Sequence, residues 1–124
     1  MEPFKVLIVE DSRATREMLA AAVELAGGVE VYTAVSGFEA LKVLPRHRFA
    51  LIITDINMPD INGLELINFV KKNPNYRNVP LFVVTTEGRV QDRDRGLQLG
   101  ASEYLVKPFE SETLTALVQR YLRR

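Results

Sequence analysis

Short apolar runs alternate along this chain with segments whose apolar residues recur at helical spacing, and the alternation repeats five times. That is the pattern of successive strand–helix units. Strands are predicted over about Phe4 to Val9, Glu30 to Ala34, Ala50 to Asp55, Pro80 to Thr85 and Glu103 to Val106. After the first, Met18, Leu19, Ala22, Val23 and Ala26 fall on one helical face, with Ser12 as a cap and Gly27-Gly28 as the stop. A shorter helix around Gly37 to Leu44 groups Ala40, Leu41 and Leu44 and ends before Pro45. A third, from about Leu64 to Lys72, stops at Asn73-Pro74, because the residue before a proline resists the α conformation. The fourth, Arg89 to Leu99, is poor in apolar residues and is expected to dock lightly or move. The fifth, Ser111 to Leu122, is amphipathic through Leu114, Leu117, Val118, Tyr121 and Leu122. Near-continuous apolar strands with helices between them predict an α/β fold, a doubly wound parallel sheet covered on both faces.

Composition narrows the chemistry. The 124 residues fit one domain, here 1–124, able to bury a core without disulfides. There is no cysteine, which excludes a disulfide framework, a thiolate zinc site and thiol catalysis. Sixteen acidic residues balance sixteen basic ones, so no global field attracts nucleic acid or anionic lipid. The N-terminus lacks a signal-peptide pattern, and no apolar stretch approaches the ~20 residues of a membrane span. The expectation is a cytoplasmic protein with neither direct nucleic-acid contact nor membrane insertion.

The polar residues at the strand ends carry the chemistry. Glu10 and Asp11 follow the first strand, Asp55 ends the third, Thr85 the fourth, and Lys107-Pro108 follows the fifth. Right-handed crossovers in a parallel sheet bring these carboxyl ends to one edge, where open α/β sheets bind ligands. A buried carboxylate needs a cation, a metal or a reaction to justify its desolvation. Mg²⁺ suits such a cluster, since it takes one or two carboxylates and keeps water and phosphate oxygens as its other ligands. Lys107 supplies a second cation, and Thr85 can donate to a phosphoryl oxygen.

Taken in order, Val9-Glu10-Asp11-Ser12, Asp55-Ile56-Asn57-Met58-Pro59 with Gly63, Val84-Thr85-Thr86-Glu87, Gly100-Ala101 and Lys107-Pro108-Phe109 resemble the receiver domain of two-component response regulators, the CheY-like family. The resemblance covers essentially the whole chain. It implies a five-stranded (βα)5 flavodoxin-like sheet of order 2-1-3-4-5. It implies Asp55 as acceptor of a phosphoryl group from a sensor histidine kinase or phosphotransfer protein. Asp11 would be the main Mg²⁺ carboxylate, Glu10 would act through water or by shaping charge, and the Asn57 carbonyl would complete the protein ligands alongside Asp55. Lys107 would pair with the acids and then the phosphoryl group. Thr85 would close on the phosphoryl oxygens, with Tyr104 passing from an exposed to a buried rotamer, so that the fourth helix, fifth strand and fifth helix control a downstream protein. A cis Lys107-Pro108 bond is also implied, and Gly100 is expected at positive φ.

Two positions depart from the common family pattern. Glu10 stands where Asp is frequent in that family, and Thr86 where a small residue is frequent, while the resemblance implies that Asn57, Thr86 and Glu87 occupy positions where the family tunes phosphoryl lifetime. Read singly, Asp55 is a turn-capping acid, Thr85 a β-branched strand residue, Lys107 a solvated charge and Tyr104 packing; their arrangement over four strand ends overturns those accounts for the first three. His47, the single histidine, lies between Arg46 and Arg48 and reads as surface. The charged run Arg89 to Arg95 reads as a solvated face. A phosphatase using a strand-end Asp nucleophile wants a second Asp two positions on, where this chain has Asn57, and no phosphate-binding Gly-rich loop follows a strand. The expectation is therefore a switch that catalyses only its own phosphoryl transfer and dephosphorylation. The rivals are an unphosphorylated interaction module of the same fold and a receiver cut from a longer regulator or kinase.

Overall fold

The computed structural model describes residues 2–123. Five strands, β1 (Phe4–Val9), β2 (Val29–Ala34), β3 (Leu51–Thr54), β4 (Leu81–Thr85) and β5 (Glu103–Val106), form one parallel sheet in the order β2-β1-β3-β4-β5. The helices α1 (Arg13–Glu24), α2 (Gly37–Val43), α3 (Gly63–Lys72), α4 (Val90–Leu99) and α5 (Ser111–Tyr121) connect them.

The apolar strands are continuous because both faces of the sheet are covered. Side chains alternate between faces: Leu7, Val9, Ile52, Leu81 and Val83 pack with Ala40 of α2 and Leu66, Ile67 and Val70 of α3. The intervening Val6, Ile8, Leu51, Ile53, Phe82 and Val84 pack with Leu19 and Val23 of α1 and Leu114 and Val118 of α5. Edge strand β2 reads differently, with Glu30 and Thr33 exposed.

Local chemistry sets the element ends. The Ser12 hydroxyl accepts from the Thr15 amide at 3.4 Å, and Gly27 and Gly28 both take positive φ after α1. Gly100, at φ 117°, terminates α4, as expected. The peptide bond Lys107-Pro108 is cis.

Some boundaries differ from the sequence reading. Strand β2 starts one residue earlier, at Val29, which pairs with Phe4. Asp55 lies just past β3 rather than in it, although its amide still donates to the Val9 carbonyl at 3.2 Å. Pro45 does not stop the helical path at once: Leu44–Arg46 add a 3-10 turn, whose first positions need no amide donor from proline. Helix α3 begins at Gly63, capped by the Asn62 side chain on the Leu64 amide at 2.8 Å.

Helix α4 is lightly docked, with only Gly96 buried among its ten residues. His47 departs from its surface assignment. It is half-buried, its ring 4.2 Å from Tyr32 and 5.7 Å from Phe49. The residue follows a 3-10 turn that turns it inward against β2, a contact that flanking arginines in the sequence cannot reveal.

Candidate functional site

Register builds the site. Val9 pairs with Thr54, so the residues that follow, Glu10 and Asp55, leave adjacent strands side by side. Thr85 pairs with Val106, and the Lys107 amide donates to the Thr85 carbonyl at 2.8 Å. Four strand ends therefore deliver Glu10, Asp55, Thr85 and Lys107 to one edge.

Lys107 Nζ lies 2.8 Å from Glu10 Oε1 and 3.1 Å from Asp55 Oδ2. Glu10 and Asp55 are buried, so this shared ammonium answers the desolvation of two carboxylates. Burial pushes the Glu10 carboxyl up, against the pull of Lys107 and the Ser12 amide. For Lys107 burial acts downward but is outweighed by its bonds to Glu10 and Asp55, and the ammonium is held above its ordinary value.

Asp55 is fixed at both oxygens. Oδ2 accepts from Lys107, and Oδ1 accepts from the Asn57 amide at 3.1 Å. Behind it, Gly63 approaches so closely that an added Cβ would stand 2.2 Å from the Asp55 carbonyl oxygen and 2.6 Å from Ile56 Cα. The glycine is thus required by the backbone of Asp55 itself.

Asp11 is exposed beside this pair. Among the described residues no three His, Asp or Glu side chains gather closely enough to hold a metal alone. Glu10 is engaged elsewhere, by Lys107 and by the Ser12 amide at 3.1 Å. The remaining donors are Asp11, Asp55 and the Asn57 carbonyl, an all-oxygen set, and a hard divalent cation needs only one or two carboxylates from protein. The donor chemistry fits such an ion.

The loop after β4 faces the acids. Thr85 is fully buried and its hydroxyl accepts from the Glu87 amide at 3.3 Å. The Glu87 carboxylate accepts from the Asn57 side-chain amide at 3.0 Å, bridging the loops after β3 and β4. The Glu87 carbonyl accepts from the Tyr104 hydroxyl at 2.6 Å. Tyr104 is half-buried, its ring 3.4 Å from the Cβ position of Gly96 in α4, and burial together with Asp92, Glu87 and Asp55 raises its hydroxyl pKa. Thr86, beside Thr85, is exposed.

Two contributors escaped the sequence reading. Arg16 Nη1 donates to the Glu10 carbonyl at 3.1 Å and the Asp11 carbonyl at 3.4 Å, tying the acidic turn to α1. Its position one turn after Ser12 was the available signal. Asp60 accepts from the Gly37 and Phe38 amides at 3.1 and 2.9 Å and from its own neighbour Ile61 at 2.7 Å. It clasps the loop carrying Asn57 to the start of α2. Desolvation acts upward on this carboxyl, but the bonds from Phe38, Ile61, Gly37 and the Ser36 hydroxyl prevail and lower it to about 2. Nothing in the sequence links residues so far apart.

Comparison with known proteins gives a consistent answer. The family described as the response regulator receiver domain matches over residues 6–119. The response regulator protein FleR of Pseudomonas aeruginosa is 41% identical over 117 residues, covering 94% of this chain and 24% of FleR. The chain spans about half the length of other curated relatives it matches, several of them transcriptional regulators. Among solved structures, the chemotaxis response regulator CheY4 of Vibrio cholerae superimposes with a TM-score of 0.87 at 40% identity, over 97% of this chain and 99% of that one. The response regulator Rcp1, solved in a Mn²⁺-bound form, superimposes with a TM-score of 0.83 at 27% identity, over 95% of this chain and 91% of that one.

Proposed function

The chain belongs to the response regulator receiver family, and on that premise we propose that residues 1–124 form one receiver domain switched by phosphorylation of Asp55. The observation that carries this reading is the buried Asp55 carboxylate, held at one oxygen by Lys107 and at the other by the Asn57 amide. Such a group is oriented for attack at a single point of the surface.

The donor is a phosphohistidine on a sensor histidine kinase or phosphotransfer protein. An Asp55 oxygen attacks phosphorus; the new O–P bond forms as the P–N bond breaks, and the departing imidazole takes up a proton. Asp11, Asp55 and the Asn57 carbonyl would hold Mg²⁺. When bound, that ion supplies charge neutralisation at the transferring phosphoryl group. Lys107, kept cationic by its acid partners, remains beside the acyl phosphate once Asp55 is consumed and pairs with a phosphoryl oxygen.

Response to the new group runs through Thr85. Its hydroxyl turns from the Glu87 amide to donate to a phosphoryl oxygen, drawing the loop after β4 inward. Glu87 meets Tyr104 through its carbonyl, so this displacement reaches β5 and the lightly docked α4. Two populations of one loop are enough to transmit the signal. The α4, β5 and α5 face then selects a downstream protein. Asn57, Thr86 and Glu87 set the phosphoryl lifetime, since the first and third already bridge the two loops across which water must enter. The domain acts only on its own aspartyl phosphate and works in the cytoplasm, contacting neither nucleic acid nor membrane directly. Among the described residues no helix is long and apolar enough to cross a membrane.

Intact-mass measurement with a small acyl phosphate decides the matter. The native chain should gain one phosphoryl group when Mg²⁺ is present and none in chelator, and Asp55→Asn should gain none. No gain with several donors and a matched kinase would favour an interaction module that uses the fold without phosphorylation.

A further inference from the structure

Lys5 and Arg48, two cations that the phosphorylation chemistry leaves unused, lie at the amino-terminal edge of the sheet. There a cavity of about 310 Å³ opens between the segments entering β3 and β4. Phe49 and Ile52 form apolar wall, and His47, Arg48, Asn75 and Tyr76 bring polar groups to the lining. We propose that this cavity is a binding site for a small planar aromatic anion, a ring bearing one carboxylate or phosphate.

The donor arrangement supports an anion. Lys5 Nζ lies 3.3 Å from His47 Nδ1. An ammonium has no acceptor, so in this contact Nδ1 accepts. His47 lines the cavity, its ring held by Lys5 and by contact with Tyr32 and Phe49. Arg48 is exposed and forms no ion pair among the described residues, leaving its planar fork free for a bidentate anion. Of the carboxylates at this edge, Glu30 accepts from the Tyr32 hydroxyl, and Glu2 lies in an adjoining cavity that also contains Arg48.

The aromatic requirement follows from the walls. Tyr76 and Phe49 offer ring surface, and the volume lies near the lower end, ~300 Å³, of small-molecule pockets, which excludes a large ligand. The acid cluster lies at the opposite edge of the sheet, so the two sites are separate.

Amide-resolved NMR titration with 2-naphthoate tests the idea, with naphthalene-2-methanol as the neutral counterpart. Shifts should concentrate at residues 44–49 and 75–79. Naphthoate should bind at least about tenfold more tightly than the alcohol, and Arg48→Met should remove that difference, as expected for loss of one charge-assisted contact. Lys72→Met, a cation lost from the separate surface of α3, should leave naphthoate affinity unchanged. Absence of shifts at millimolar naphthoate, shifts centred elsewhere, or equal affinity for the neutral compound would overturn the proposal. So would an Arg48→Met chain that retains native amide dispersion and full naphthoate affinity.

Discussion

At the scale of single residues, Lys107 answers two charges at once. Its 2.8 Å contact is to Glu10 and its 3.1 Å contact is to Asp55, so the ammonium has an anchor that survives when Asp55 is modified. In the proposed mechanism this would separate holding the phosphoryl group from forming it. Lys107→Ala should still gain a phosphoryl group in the mass assay. It should lose most of the phosphorylation-linked change at Tyr104, read by that residue's amide shift; coupling between sites is typically ~5–150-fold and should fall towards unity. A full native shift change in the variant would contradict the coupling role. The Glu10 carboxylate accepts from both Lys107 and the Ser12 amide.

At the scale of elements, the clasp made by Asp60 joins the Asn57 loop to α2. A carboxyl lowered from 3.8 to about 2 contributes stability that is complete above its unfolded value and disappears as pH falls through its folded one. Asp60→Ala should therefore melt below the native chain at pH 7, and the gap should close between about pH 4 and pH 2, measured by thermal circular dichroism. A gap that persists at pH 2 would mean that packing, such as that of Gly37 on Ile61, rather than charge holds the junction. Helix α4 supplies a second test. Only Gly96 is buried there, whereas α3 buries Gly63, Leu66, Ile67 and Val70. Amide exchange should be at least about tenfold faster in α4 than in α3, as local opening follows buried apolar contact. Equal protection would remove the basis for treating α4 as the movable helix.

At the scale of the whole molecule, Glu10, Asp11 and Asp55 are brought to the carboxyl edge of the sheet although the net charge is zero. The acid edge should gain from a divalent cation that binds only the folded chain. Mg²⁺ at about 100 times its dissociation constant would add ~2.7 kcal/mol and raise the melting temperature by several degrees. Asp11→Ala should lose most of this rise, and calorimetric melting with and without chelator provides the measurement.

The apolar periodicity determined the five strand–helix units, and the polar residues ending the strands determined which chemistry the chain could assemble. Both are local properties: strand burial on two faces leaves an uninterrupted apolar run, and a charge closing such a run is visible without partners. Asp55, Thr85 and Lys107 were legible for that reason, and Gly63 only as a family position. What the tertiary structure decided is pairing between distant residues. Lys107 bonds Glu10 across 97 positions, Asp60 reaches back to α2, Glu87 bridges Asn57 and Tyr104, and His47 stacks on Tyr32. Each depends on register and on the angle at which a loop leaves the sheet. Those are set by packing the whole core, which no short segment encodes.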